Sequence, residues 1–273
     1  MRTRAAADPM RTRFAADPMR ARFAADYSDL PAQLAGYWAL LVYTATHLRV
    51  LAIGPVRAVF HRQLYFTGVQ GAYLVALLGL LAGALAVTQT TALVGASSEL
   101  TVRVLVWTVV GELGPLLAAI IIVARSAVAI ATELALMEVR AETDYLANLR
   151  IRPMDYLVVP RMAALTLSVI ALTVYFQVVA VAGGLAISTL FQSAPFITQL
   201  VRFFEVITVT DMFLAALKSF CFGAAIAAIS CYHGLAVSRS LTVVPIAAMR
   251  AVIQSLLFVF VIDALFAYVR YML

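Results

Sequence analysis

Gly111-Glu112-Leu113-Gly114-Pro115 opens the stretch whose reading decides the fold. The apolar run Leu116–Ala124 follows it, then Arg125, then a charged segment of helical pattern, Glu133–Arg150, and then Ile151-Arg-Pro-Met-Asp-Tyr-Leu-Val-Val-Pro-Arg161. A carboxylate inside an apolar span, with a charged helix directly behind it, describes a membrane chain that acts at two depths. The composition around it agrees. Apolar residues make up 64% of the 273 residues and charged residues 12%, where a soluble domain carries about 25% charge. An all-α integral membrane protein is expected, with no sizeable soluble domain left once the spans are drawn.

Working outward, five apolar segments are long enough to cross a bilayer. They run about 71–91, 101–125, 156–185, 211–232 and 251–271. Gly71, Gly79 and Gly83 in the first are small and suit close helix packing. Gly114 and Pro115 in the second predict a kink, because proline removes a backbone donor. Before the first span, 30–57 is helical in pattern, with Tyr37, Trp38, Tyr43, His47 and Arg49 among its apolar positions. Aromatic and polar groups mixed in this way suit the membrane–water interface. An elbow helix along the inner surface is expected; the alternative is a further span over 36–56. Arg57, His61 and Arg62 then lead into the first span. A short amphipathic helix is expected within 191–207, carrying Arg202 and Glu205.

Residues 1–27 repeat a nonapeptide three times, as in Met10-Arg-Thr-Arg-Phe-Ala-Ala-Asp-Pro18. Residues 1–28 therefore read as a basic, disordered tail, or as a basic arm attracted to anionic lipid headgroups, and 29–273 as one membrane domain. Arginine is rich in the tail, in the 125–161 connection and in 233–250, which reads as a loop, and poor near residues 97 and 200. The positive-inside rule puts the N-terminus in the cytoplasm. The net charge of +6 is thus a matter of membrane orientation, and no basic face suggests nucleic acid. Cys221 and Cys231 lie about 15 Å apart along one helix, too far to bridge. His47, His61 and His233 are scattered. No metal-ligand spacing occurs and no cofactor is expected. No phosphate-binding loop occurs either, so any ATPase must be a separate chain.

Three ionisable residues fall well inside spans: Glu112, Asp263 and Lys218, the only lysine. Each is costly in hydrocarbon, by roughly 2.5–3.5 kcal/mol. At the helical rise they lie about 16, 12 and 10 Å below the outer surface, respectively. One lysine between two carboxylates at similar depth can satisfy itself electrostatically, and the group serves either as a lock on the helix bundle or as the polar base of an outward-facing cavity. On the opposite side, Glu133, Met137, Glu138, Arg140, Glu142 and Asp144 lie on the amphipathic segment 133–150, which reads as a docking surface for a soluble partner.

Several motifs then occur in one order. Arg-Gln-Leu-Tyr-Phe-Thr-Gly (62–68), Glu-Leu-Gly-Pro-Leu-Leu-Ala-Ala (112–119) and Ala-Arg-Ser-Ala-Val-Ala-Ile-Ala-Thr-Glu-Leu (124–134) come first. Met137, Tyr-Leu-Val-Val-Pro-Arg (156–161), Lys-Ser-Phe-Cys-Phe-Gly (218–223) and Cys-Tyr-His-Gly (231–234) follow. Together they resemble the MlaE/YrbE permeases over about 55–270. The resemblance implies a homodimeric permease subunit of an ABC transporter, not itself an enzyme, in the inner membrane of a double-membraned bacterium. It implies phospholipid as cargo, a cytoplasmic ATPase and a periplasmic MCE-domain ring as partners, and 29–273 as the permease domain. It places Glu112, Lys218, Asp263 and Arg62 at the cavity or its gate, and 133–150 at the ATPase. The chain departs from the family at Ala135, Glu138, Ala141-Glu142 and Arg152-Pro153, and the glycine-rich stretch before the last span is replaced by 237–249. Two other functions fit the charges: an ion-coupled secondary transporter relaying protons through Glu112, Lys218 and Asp263, and a non-transporting membrane anchor.

Overall fold

The computed structural model describes residues 30–94, 103, 106–191, 196–237 and 240–272. The basic tail 1–28, the loop 95–99 and Arg239 lie outside the described residues. Every described element is helical. In chain order these are α1 (Leu30–His47), α2 (Gly54–Leu64), α3 (Ala72–Val94), α4 (Gly114–Ile122) and α5 (Val128–Val139). The short α6 (Glu142–Asn148) is followed by α7 (Val159–Phe191), α8 (Phe196–Val206), α9 (Val209–Leu235) and α10 (Val244–Met272). Short stretches of wider, π-type helix adjoin several of these.

Among the described residues, five helical runs are long and apolar enough to cross a membrane: Gly54–Thr90, Val106–Val139, Met154–Thr189, Val209–Leu235 and Leu241–Arg270. The expected five spans are therefore present, but the helices outrun their apolar stretches. The first run begins at Gly54, with Pro55 in its first turn, so Arg57, His61 and Arg62 are helical and continuous with the span. The last begins close to Leu241, so most of 233–250, read from sequence as a loop, is helix. Hydropathy detects where hydrocarbon contact ends, and a backbone helix continues past that point wherever its hydrogen bonds are satisfied.

Helix α7 is central, packed against α2, α3 and α9, and α9 packs in turn on α10, α5 and α1. The core follows these contacts, with Phe176, Leu165, Phe222 and Ile229 fully buried. The end of the bundle carrying α1 and α6 is called the near end below, and the end carrying α8 the far end. At the near end side-chain hydrogen bonds fasten α1 to the bundle. The Tyr43 hydroxyl donates to Asp155 at 2.6 Å. Tyr37 lies edge-on to Tyr232, with ring centres 4.9 Å apart, and its hydroxyl meets His233 Nε2 at 3.0 Å and also bonds Gln254. Burial, and secondarily Tyr232, raises the Tyr37 phenol above its ordinary range, so it remains a donor. Helix α1 is not among the five runs able to cross.

The segment 133–150, expected as one amphipathic helix, is two pieces. Glu133 to Val139 completes α5, where Leu134 and Ala135 are buried. The chain then turns at Ala141, in the left-handed region at φ 57°, and α6 ends before a second left-handed residue, Arg150, at φ 61°. Neither residue is a glycine, so nothing in the sequence marks the break. Amphipathic spacing arose here because α5 buries one face against α9 and α10.

Candidate functional site

The far half of the bundle gathers the ionisable residues. Glu112 sits at the end of the π-type stretch Val106–Leu113, Lys218 about 14 Å into α9, and Asp263 a similar distance from the end of α10. Lys218 Nζ lies 2.6 Å from Glu112 Oε2 and 2.7 Å from Asp263 Oδ1. The lysine is 2% exposed, and the carboxylates keep more contact with solvent. A buried lysine stays charged only beside such partners. The triad joins the second, fourth and fifth spans, and it is the group that helical depth alone had placed at one level.

Two further charges complete it. Arg270, in the last turn of α10, approaches Asp211 Oδ1 at 3.0 Å and Glu112 Oε1 at 3.9 Å, and its guanidinium lies 4.9 Å from the Trp107 ring centre. The sequence pattern does not reveal Arg270, because an arginine at the end of a span ordinarily snorkels to the headgroups. Asp211 also caps α9 reciprocally with Thr208. The five residues carry three negative and two positive charges. Beside them a cavity of about 300 Å³ is lined by Arg103, Val106, Trp107, Thr108, Val206 and Asp211. The pocket directly at the charges has room for about one water, with a volume of about 10 Å³.

Gly114 and Pro115 support this arrangement. Proline cannot donate to Val110, the acceptor in π register, and Gln177 Nε2 on α7 supplies that bond at 2.9 Å. A Cβ at Gly114 would meet Gln177 Cγ at 2.9 Å. The glycine thus admits the side chain that satisfies the carbonyl freed by the proline.

Arg62 is not brought to this cluster. It is exposed at the end of α2. Of the residues expected at the near-end docking surface, Glu133, its side chain exposed, accepts from Arg161 at 3.0 Å, Glu138 accepts from the buried Thr143 at 2.7 Å, and Met137 packs against the core. Arg140 and Glu142 form an exposed pair at 3.7 Å, and Asp144 lies in the first turn of α6. The exposed apolar groups here are Tyr145 (67%) and Leu149 (70%). Arg161 is 5% exposed, and its Nε and Nη1 have no hydrogen-bond partner among the described residues. Glu133 is therefore the acceptor that makes its burial tolerable. Glu133→Ala is expected to destabilise the chain by about 1–3 kcal/mol, and Glu133→Ala/Arg161→Leu to recover most of that. Thermal unfolding in detergent measures both; equal stability of the single variant and the parent would show the pair to be incidental.

Comparison with known proteins adds a coherent set of relatives. A family described as Permease MlaE matches residues 60–269. A probable ABC transporter permease protein of Rickettsia typhi is 31% identical over 229 residues, covering 82% of this chain and 87% of the relative. A probable ABC transporter permease protein of Synechocystis sp. is 38% identical over 153 residues, 55% of this chain and 57% of that one. The chloroplastic protein trigalactosyldiacylglycerol 1 of Arabidopsis thaliana is 31% identical over 152 residues, 56% of this chain and 43% of that one.

Proposed function

This chain belongs to the MlaE permease family, and from that premise we propose that it moves phospholipids or related lipids between a bacterial inner membrane and a periplasmic MCE-protein ring. It is a multi-pass permease of the ABC transporter type. In the proposed arrangement the near end faces the cytoplasm, α1 lies along the inner surface, and the far end opens to the periplasm. The observation that carries the cargo reading is the far-end cavity: Val106, Trp107 and Val206 give it apolar wall, Arg103 and Asp211 give it charge, and the ion cluster lies beside it. That combination suits an amphiphile with an anionic head. The name of the Arabidopsis relative, which refers to a diacylglycerol lipid, points the same way.

Two copies are proposed to work together. The fifth span buries only 11% of its apolar window within the protomer, leaving Ile253, Leu257 and Phe260 on its outer face for a second copy or for lipid. ATP hydrolysis is assigned to a separate cytoplasmic chain docking on α6. Movement there would pass through α5 to α9, since a Cβ at Gly234 would already meet Leu134 Cβ at 2.7 Å, and so to the ion cluster on the same helix.

Pull-down of the full chain from native membranes, with mass spectrometry of bound proteins and extracted lipids, tests this reading. An ABC ATPase, an MCE protein and bound phospholipid are expected. Transport that persists without any ATPase and collapses with the proton gradient would favour a proton relay through the triad instead. Tyr145→Glu/Leu149→Glu is expected to weaken ATPase association by about tenfold or more, equivalent to about 1.4 kcal/mol, while leaving membrane insertion unchanged. Undiminished co-purification of the ATPase would remove α6 from the interface.

A further inference from the structure

We propose that Arg270 is the anion-reading residue of the far-end cavity, transferring its guanidinium from the carboxylates to the phosphate of a lipid headgroup. The proposal rests on the lipid reading above and names the group that recognises the cargo. Three observations carry it. The first is position. Arg270 touches both Trp107 and Asp211, and both of these line the 300 Å³ cavity, whose wall also bears Arg103. An anion in that space lies beside one arginine and within reach of another.

The second is that its partners can release it. Glu112 has Lys218 at 2.6 Å as its closer cation, against 3.9 Å to Arg270. Asp211 also accepts at Oδ2 from the Thr208 hydroxyl at 2.5 Å and the Thr208 amide at 3.3 Å. When Arg270 turns away, neither carboxylate is left without a partner. Lys218 differs, being the sole ion-pair partner that the described residues give Asp263. A guanidinium is also suited to the exchange, because its planar fork binds phosphate oxygens in pairs and is weakly hydrated.

The third is a notch built for it. A Cβ on Gly111 would sit 1.6 Å from Arg270 Nη1 and 2.7 Å from Cζ. The guanidinium therefore occupies the volume a side chain would take at 111, and any other residue there expels it. In this position it lines the small pocket at the charges together with Gly111, Glu112 and Lys218.

The chain's two tryptophans are Trp38 and Trp107, so Trp38→Phe leaves Trp107, stacked with Arg270, as a single reporter. The full chain in this background, in nanodiscs of neutral lipid, is titrated with dihexanoyl phosphatidylglycerol. The probe is expected to produce a saturable change in Trp107 emission that dihexanoylglycerol, lacking phosphate, does not produce. Arg270→Ala should abolish the change and Arg270→Lys should weaken the apparent affinity by about tenfold. Gly111→Ala should show the shifted emission before any lipid is added. Identical titrations in the parent and Arg270→Ala, or equal responses to the two lipids, overturn the proposal. An equal response to inorganic phosphate at the same concentration withdraws the headgroup as its source. These outcomes are separate from failure of the transport reading, which would appear as an absence of ATPase and phospholipid in the pull-down.

Discussion

Lys218→Met is expected to destabilise the protein by about 3–5 kcal/mol, because it removes one partner of a buried ion network and strands the others. The loss is not shared equally. Glu112 retains Arg270 at 3.9 Å, whereas Asp263 loses its 2.7 Å contact and gains nothing in return. Adding Asp263→Asn to Lys218→Met should therefore restore most of the stability, and the triple variant with Glu112→Gln should come within about 1 kcal/mol of the parent, as replacement of whole buried ion groups often does. Thermal unfolding of the detergent-solubilised protein ranks the three. Transport measured on the triple variant separates the two roles open to the triad. If the charges only lock the helices, the stable neutral triad transports normally. If they serve the cavity, transport falls about tenfold or more in a folded protein. A single Lys218→Met variant as stable as the parent would sink the electrostatic account altogether.

Gly83→Val is expected to cost about 3 kcal/mol or more, beyond the usual range for overpacking, because the obstacle is backbone. A Cβ at Gly83 would lie 1.9 Å from the carbonyl oxygen of Ala180 and 2.7 Å from its carbon. One helical turn away, a Cβ at Gly79 would meet the Phe176 oxygen at 3.2 Å. Helices α3 and α7 thus touch main chain to main chain along a face of small residues, the arrangement by which packing replaces the hydrophobic effect inside a bilayer. A side chain at 83 must push the first and third spans apart, since α7 is fixed by α9 behind it. Gly54 provides the contrast, because a Cβ added there would meet nothing within 4 Å, so Gly54→Ala should shift stability by no more than about 0.5 kcal/mol. Membrane-fraction yield and the unfolding midpoint of both variants are the measurements. A Gly83→Val protein that keeps the parental midpoint would show that the two spans separate freely.

How much of the site is legible in the sequence depends on the range of the interaction. Helical rise is a fixed ruler, so three charges on three different spans can be placed at one depth before any contact is known. The near end is harder to read. Periodicity identifies an amphipathic segment at 133–150, but the same spacing arises whether a helix faces solvent on one side or buries one side against other helices. Glu133 and Glu138 face Arg161 and Thr143 and hold the near end together, while Glu133 stays exposed on the same surface as Arg140, Tyr145 and Leu149. Arg270 is invisible for a related reason: its role depends on an absent side chain at Gly111, on a different helix and far earlier in the chain.

By itself the sequence determined the solvent and the scaffold. A chain with so few charges must satisfy its backbone within helices in a bilayer, and the apolar runs set the number of spans. Ordered motifs also determined the family. Only the tertiary structure decided which charges meet, which glycines are gaps for a neighbour, and where the near-end helix breaks. Those are properties of pairs of surfaces brought together by packing, and a one-dimensional pattern carries the period of each surface but not the identity of its partner.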